Sequence, residues 1–220
     1  MTSSHAIRVE SQRKSAPLLR KEQLVQVAEV LFAQNGFAGA SIRDIAVAAG
    51  VKIGSIYNFF SGKRELHSAV LEKAYGSLQS YIERAKVVDG DPEGNLRRVM
   101  TAVTNFFKEQ PTAHRVILQE LLVGAEAVDR AIELHLRKAR QRINDILRAG
   151  NQLKVFRDVD VEIFSYGLLS STFGYFSSRA LFLRLFPEHA SAKTFIDNAP
   201  FPLFEFVMES LTSKSKKQNS

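Results

Sequence analysis

Between residues 41 and 63, a tight glycine turn stands among short polar, flat and cationic side chains. The turn has the sequence AAGVK, in which Ala48 and Ala49 are small enough to let two helices approach. Gly50 permits a sharp bend, and Val51 can plug the angle between the helices. Side chains of these types can contact phosphates and base edges once a helix carries them into the major groove of DNA. The segment therefore predicts a nucleic-acid-binding surface.

Three short helices must position this surface. Apolar residues at helical spacing predict a first helix that begins near residue 18 and ends at Gly36. Ser41 is the expected N-cap of a second, very short helix, which Gly50 ends. A third helix is expected over about 53–60, and a long fourth helix follows Ser61-Gly62. A glycine turn between the second and third helices is typical of a helix-turn-helix.

The run SIRDIAVAAGVKIGSIYNFFSGKRELHSAV, which begins at Ser41, resembles the signature of the TetR family of transcriptional regulators. In that family, an AGVS-type turn leads to a GxxY motif, an aromatic pair and a Ser- and Lys-rich step into the fourth helix. The resemblance is strong over residues 18–78, and beyond them it rests on the helix count and on the turn GNQLKVFRDVD. The matching residues are Gly50, Val51, Gly54, Ser55, Ile56, Tyr57, Asn58, Phe60 and Lys63, with Phe37 at the family's NGF-type corner.

The resemblance implies an all-α fold, with an N-terminal three-helix helix-turn-helix DNA-binding domain and a C-terminal helical ligand-binding and dimerisation domain. Beyond the fourth helix, we expect helices at about 93–109, 112–124, 127–149, 160–185 and 200–213. The predicted layout is a disordered basic arm (1–17), a DNA-binding domain (18–78, with the helix-turn-helix at about 41–60), an effector-binding and dimerisation domain (79–213) and a disordered basic tail (214–220).

Carried onto this sequence, the resemblance implies that Ser55 and Tyr57 contact phosphates or thymine methyl groups. Lys63 would hold a phosphate with the help of the dipole of the fourth helix. Arg43, on the second helix, is the best candidate for a bidentate contact to guanine. The full set of predicted DNA-binding residues is Ser41, Arg43, Lys52, Ile53, Gly54, Ser55, Tyr57, Asn58 and Lys63.

The residues around these contacts have other expected roles. Lys52 and Asn58 flank the recognition helix and would position it on the DNA backbone. Phe59 occupies a position that is often histidine in the family, so the phosphate contact that histidine makes there is not implied for this chain. Ile56 and Phe60 are expected to pack in the core of the small domain.

A stripe of small side chains in the eighth predicted helix favours a two-fold dimer, because small residues let another helix come close. The surrounding residues of that helix are almost all apolar, so it needs neighbours on every side. The last helix is its expected partner in a four-helix interface. The predicted interface residues are Gly167, Ser171, Gly174, Ser178, Leu203, Phe206 and Val207.

The aromatic content of the second half predicts a cavity for a small apolar or aromatic effector. Ten of the 16 phenylalanines lie from Phe156 onward, and ligand pockets are mostly apolar with a few placed polar groups. Each of these rings could equally fill the core or the dimer interface. The predicted walls are Phe106, Phe107, Tyr166 and Phe173, with His114, Gln119, Glu120 and Arg179 as polar anchors.

The charge distribution agrees with a polyanion-binding module on a neutral body. Of the net charge of +7, residues 1–66 carry +4, residues 67–213 cancel, and the tail adds +3. There is no cysteine, the five histidines show no zinc-ligand spacing, and no nucleotide-binding or nucleophile motif is present. We expect no enzyme activity, no cofactor and no metal, and a cytoplasmic protein that does not bind membranes.

The predicted function is sequence-specific binding to a palindromic operator in double-stranded DNA, with repression that a small apolar effector relieves. Two alternatives stay open. A helical interaction or adaptor protein would not bind DNA in a salt-sensitive way. A constitutive DNA binder would explain the basic N-terminal part and leave the aromatic body without a role.

Overall fold

A computed structural model of the chain describes residues 3–123, 130–178 and 202–212, together with residues 181, 184, 185 and 187. Helices dominate these residues, and an isolated antiparallel β-bridge joins Phe156 to Thr212. The predicted all-α fold is confirmed. The helices are α1 (Ser3–Gly39), α2 (Ile42–Ala48), α3 (Ile53–Tyr57), α4 (Lys63–Arg84), α5 (Pro92–Glu109), α6 (Pro111–Leu122), α7 (Arg130–Gln152), α8 (Val161–Ser177) and α9 (Pro202–Leu211).

The chain divides into two compact units. The first unit comprises Met1–Ala74 and Arg115–Asp129, and the second comprises Tyr75–His114 and Arg130–Ser220. The sequence predicts a boundary at residues 78/79, and it does not predict that residues 115–129 belong with the N-terminal segment. That assignment depends on tertiary packing, such as the hydrogen bond that Gln119 Nε2 donates to the carbonyl of Ala33 at 3.4 Å.

The core of the first unit forms where α1, α2, α3 and the start of α4 meet. Helix α1 has a break at Gly36, where φ of 72° and ψ of 171° suit only glycine. This break turns the chain toward Ser41 and α2. The fully buried side chains of this core include Ala28, Phe32, Ile45, Ile56, Leu66, Val70 and Leu71.

In the second unit, α7 packs against both α5 and α8. Asp91 caps α5 by accepting a hydrogen bond from the Gly94 N–H at 2.9 Å, and Asp160 caps α8 in the same way through Ile163. Both helices therefore begin within a residue of the predicted positions. The buried apolar side chains of this unit include Leu96, Val99, Met100, Val103, Phe106, Ile143, Leu147, Phe204 and Met208.

Two polar side chains fix the connection between α4 and α5. The Asn95 amide accepts a hydrogen bond from the Val88 N–H and donates one to the Val88 carbonyl, both at 2.8 Å. Arg98 donates to the Lys86 carbonyl at 2.8 Å and to Asp91 at 2.8 Å. The two side chains thus provide hydrogen-bond partners for a stretch that has no helical pairing of its own.

Some helix ends differ from the predicted ones. Helix α1 begins at Ser3, whereas the sequence predicts disorder over residues 1–17, and α3 ends at Tyr57, three residues before Phe60. Pro17 lies within α1, although proline lacks an N–H and usually stands at a helix start. After α3, the Phe60 N–H still donates a hydrogen bond to the carbonyl four residues earlier, that of Ile56, at 3.0 Å. The Phe60 side chain lies in the core, although the residue itself is no longer part of the helix.

Candidate nucleic-acid interface

Helix α2 is held at its start by a reciprocal cap. The Ser41 hydroxyl accepts a hydrogen bond from the Asp44 N–H at 3.1 Å, and the Asp44 carboxylate accepts from the Ser41 N–H at 3.1 Å. The Ser41 hydroxyl also donates to this carboxylate at 2.6 Å. These hydrogen bonds lower the pKa of Asp44 below its usual 3.8, because they stabilise the ionised form.

The turn after α2 sets the direction of α3. Gly50 has a φ of 65°, which is in the left-handed region that favours glycine. The Val51 N–H donates to the Ala46 carbonyl at 3.0 Å, and Val51 is half-buried. Ile45 and Ala46 are buried beneath this turn. The predicted AAGVK turn is therefore present with its glycine in the conformation that the bend requires.

Helix α3 has a buried side and an exposed side. Ile56 is fully buried and Phe60, just after the helix, is 2% exposed, which confirms their predicted role in the core. Tyr57 is 54% exposed and Ile53 is 42% exposed. The remaining predicted DNA-binding residues of this stretch are exposed at Lys52, Gly54 and Asn58 and half-buried at Ser55.

Lys63 begins α4 and is held against the end of α1. Its ammonium group lies 4.4 Å from the centre of the Phe37 ring and 3.4 Å from the Ala38 carbonyl oxygen. The sequence predicts that Lys63 is near phosphate but does not show this support. In the same turn, the Ser61 N–H donates to the Glu65 carboxylate at 2.6 Å, which lowers the pKa of Glu65.

Helix α2 presents a residue that the sequence analysis missed. Val47 is 76% exposed, and it lies one helical turn after the exposed Arg43. The spacing of four residues between the two was the available signal. Arg43 and Val47 together give α2 an exposed strip with one cation and one branched apolar group.

Two family models match the chain over the units that contain these elements. The model of bacterial regulatory proteins of the tetR family matches residues 24–70. A second model, described as a tetracyclin repressor-like C-terminal domain, matches residues 92–199. The chain belongs to the tetR family. The resemblance inferred from residues 41–70 is thereby confirmed.

Named relatives of this tetR-family chain regulate transcription in both directions. The HTH-type transcriptional activator FasR of Mycolicibacterium smegmatis is 26% identical over 138 residues, which is 63% of this chain and 63% of FasR. The HTH-type transcriptional repressor NicS of Pseudomonas putida is 23% identical over 168 residues, or 72% of this chain and 76% of NicS. The HTH-type transcriptional repressor KstR2 of Rhodococcus jostii is 28% identical over 147 residues, which is 66% of this chain and 72% of KstR2.

Two solved structures share the fold. PfmR from Thermus thermophilus is 28% identical, with a TM-score of 0.60 over 68% of this chain and 80% of PfmR. AibR, solved with isovaleryl coenzyme A and operator DNA, is 17% identical, with a TM-score of 0.63 over 72% of this chain and 86% of AibR. Among the described residues, no helix has the length and apolar character that a bilayer span needs.

Four of the predicted effector-binding residues form an aromatic cluster in the second unit of this tetR-family chain. The Phe107 ring lies 4.7 Å from Phe173 and 5.5 Å from Phe106 between ring centres, and it also contacts His114 at 4.5 Å. Phe176, which was not predicted, stacks on Phe107 at 5.0 Å. Ser177 Oγ lies 3.3 Å from His114 Nε2.

The other predicted effector-binding residues do not join this cluster. Tyr166 is 74% exposed, because α8 turns Ser165, Leu168 and Thr172 inward and leaves Tyr166 outside. Gln119 and Glu120 belong to the first unit, where they line a cavity. Arg179 lies outside the described residues.

The predicted dimer residues lie on α8, at its end and on α9. Gly167, Gly174 and Ser178 are exposed, and Ser171 is half-buried. On α9, Phe206 is 67% exposed and Val207 is half-buried. Leu203 lies in the first turn of α9.

The reciprocal cap of α2 generates a testable prediction. Replacing Ser41 by alanine removes the hydroxyl that accepts from the Asp44 N–H, and we expect the melting temperature near pH 7 to fall by about 2–4 °C. Replacing Asp44 by asparagine should also lower it near pH 7. Thermal melts followed by circular dichroism measure both effects, and Glu72→Gln, at an exposed position of α4, is the control.

The Asp44→Asn effect should depend on pH in one direction. Because the folded-state pKa of Asp44 is lowered, its contribution to stability is present above 3.8, its usual pKa, and is lost as the pH falls through the folded-state value. The gap between the wild-type and Asp44→Asn melting temperatures should therefore narrow below about pH 3.8. A gap that stays constant down to the acid unfolding of both proteins would contradict the role of the cap.

Proposed function

We propose that the chain is a homodimeric repressor that binds a palindromic operator through α2, α3 and the start of α4, and that a small apolar or aromatic effector releases it. The observation that carries the proposal is the two-sided character of α3: Ile56 is fully buried, whereas Tyr57 and Ile53 are about half exposed. A helix of five residues with large apolar and aromatic groups exposed on one side has a surface that a macromolecular groove would cover.

The chemistry of the exposed side matches DNA. Arg43 is exposed and can donate two hydrogen bonds to a guanine edge in the major groove. Ile53, Tyr57 and Val47 offer apolar surface to thymine methyl groups. Phosphate oxygens can accept hydrogen bonds from the ammonium groups of Lys52 and Lys63 and from the amide of Asn58, and the two lysines also supply positive charge.

The direction of regulation is inferred by analogy with relatives. NicS and KstR2 are described as repressors and FasR as an activator. We favour repression because the two repressor matches cover more of this chain than the activator match does. The operator-bound structure of AibR supports DNA binding as the use of this fold.

Substitutions at Arg43 and Lys63 should separate the recognition of bases from that of phosphates. We expect Arg43→Ala to lower affinity for the selected operator by about 1–3 kcal/mol and to relax the preference at one base pair. Lys63→Met keeps the aliphatic stem beside Phe37 but removes the charge, so it should weaken binding to all sequences alike and reduce the salt dependence. Binding-site selection followed by fluorescence anisotropy at several salt concentrations measures both effects.

Arg137→Gln, on the exposed side of α7, is the matched control and should leave both measurements unchanged. If selection on the wild-type protein enriched no motif, residues 41–63 would not recognise sequence. Binding without sequence preference would favour the constitutive DNA binder, and no salt-sensitive binding would favour the adaptor protein.

The exposed face of α8 and α9 supports the dimer. Ile163 and Tyr166, about one helical turn apart on α8, are 73% and 74% exposed, and Phe206 on α9 is 67% exposed. Exposed large apolar groups of this kind often mark an interaction surface. A Cβ at Gly167 or Gly174 would meet no atom of the described residues within 4 Å. Packing among the described residues therefore gives no reason for glycine there, whereas a partner helix would.

Enlarging Gly174 tests this interface. Gly174→Leu should shift the protein from dimer to monomer in light scattering at micromolar concentration, because the added side chain keeps the partner helix away. DNA affinity should fall at the same time, since two copies bind half-sites about 34–36 Å apart. Gln141→Leu, an exposed position on α7, is the control. An intact Gly174→Leu dimer would place the interface elsewhere.

The aromatic cluster around Phe107 supports the effector site. It combines ring surfaces with one polar pair, His114 and Ser177, which is the composition of many small-molecule sites. AibR was solved with isovaleryl coenzyme A, so an acyl compound is one class to screen. An effector that prefers one arrangement of the second unit would shift the population of the DNA-binding state.

Linkage gives a quantitative test of this switch. A compound that stabilises the protein in a thermal-shift screen should weaken operator binding by some factor, and operator DNA should weaken binding of the compound by the same factor. Calorimetry with and without operator measures the second factor. Phe107→Ala should reduce both the effect of the compound on operator binding and the effect of the operator on binding of the compound. A compound that binds without changing operator affinity would contradict release by the effector.

A further inference from the structure

The first unit contains a cavity of its own, of about 490 Å³. Its volume lies in the range of small-molecule sites, and all its lining residues belong to the first unit. They come from the break near the end of α1, from the first two turns of α4, and from the end of α6 with the residue that follows it. The residues that matter for its chemistry are Phe37, Arg64, His67, Gln119, Glu120 and Leu122.

Two buried ionisable side chains lie in the cavity lining. Glu120 is 4% exposed and His67 is 5% exposed. The His67 ring packs edge-on against Phe32 at 4.9 Å and lies 4.8 Å from Phe37. Burial lowers the pKa of His67 below 6.5, the nearby carboxylate of Glu120 opposes this shift, and the charge of Lys63 adds to it. His67 is therefore mainly uncharged near neutral pH, and Glu120 is the acidic side chain of the lining.

We propose that this cavity binds a small molecule with an apolar body and a single ammonium group. A carboxylate has two oxygens that together accept about four hydrogen bonds, so Glu120 can accept from a ligand in addition to its contacts within the chain. The face of the Phe37 ring attracts a cation. Among the lining residues, Arg64 is a cation, and it is exposed, so water screens its repulsion far more than protein screens the attraction of Glu120.

Occupancy of the cavity would reach the DNA-binding surface through Phe37. The same ring forms part of the cavity wall and supports the Lys63 ammonium group at 4.4 Å. Gly36, with its glycine-only backbone conformation, fixes where Phe37 lies. A ligand cation at this ring would compete with Lys63 for it and would repel Lys63, so bound ligand should weaken DNA binding. This second step rests on the proposed function.

Three matched probes test the ligand class on the full-length chain. They are 2-phenylethylammonium, the neutral 2-phenylethanol and the anionic 3-phenylpropanoate, measured by titration calorimetry at pH 7.5 without DNA. We expect the ammonium compound to bind most tightly. Glu120→Gln keeps the shape and removes the charge, so it should weaken that binding about 10- to 100-fold, whereas Glu72→Gln at an exposed position should not change it.

A second variant protects the test against misfolding. Leu122 is 77% exposed at the cavity wall, so Leu122→Trp fills the cavity without disturbing the core, and we expect it to abolish binding while the melting temperature stays within a few degrees. If the alcohol binds as tightly as the ammonium compound, the proposed class is wrong. If no probe binds, or if Leu122→Trp binds normally, the site itself is wrong.

The link to DNA is measured separately with operator affinity at fixed salt. The ammonium probe should weaken operator binding of the wild-type protein several-fold and have no effect on Leu122→Trp. If the probe binds and operator affinity stays unchanged, the coupling through Phe37 is wrong, whereas the ligand site itself is still supported. Failure of all operator binding without any probe would instead overturn the proposed function, so the two failures are distinguishable.

Discussion

The proposed DNA-binding surface depends on the burial of two side chains, Ile56 and Phe60. Helix α3 has only five residues, and an isolated helix of that length is far too short to be stable in water. Two features therefore fix its position: the packing of these two apolar side chains in the core, and the turn at Gly50 that precedes the helix. Without that burial, Tyr57, Ile53 and Asn58 would have no fixed arrangement to present.

Local patterns in the sequence were sufficient for this part of the structure. The Ser41 cap, the glycine turn and the apolar positions of α3 lie within about 20 residues, and each follows from backbone geometry or helical spacing. The predicted helices of the second unit also appear, and most of their ends lie within three residues of the predicted ones. Helix α8 is the exception, because it ends at Ser177, eight residues before the predicted end at 185. Helix ends depend on weak local preferences that tertiary contacts override, as at Tyr57, after which Phe60 turns inward.

Contacts between segments that are distant in the chain could not be predicted from the sequence. Lys63 and Phe37 are 26 residues apart, and no local pattern states that the ammonium group lies on the ring. Tyr166 has the composition of a pocket residue, but the register of α8 places Ser165 and Thr172 inward instead. Those two hydroxyls can be buried because they donate to carbonyls of their own helix, at 3.1 Å and 2.8 Å. Gln119 and Glu120 show the same limit, because only packing assigns them to the first unit.

The hydrogen bonds between Asn95 and Val88 have a consequence for how this protein can change over evolution. Surface loops usually tolerate inserted and deleted residues. The segment between α4 and α5 is different, since the side chains of Asn95 and Arg98 pair with its backbone at fixed positions. One added residue would move Val88 or Lys86 out of reach and leave polar groups without partners. The length of this connection is therefore constrained as strictly as the length of a helix, although it contains no regular structure.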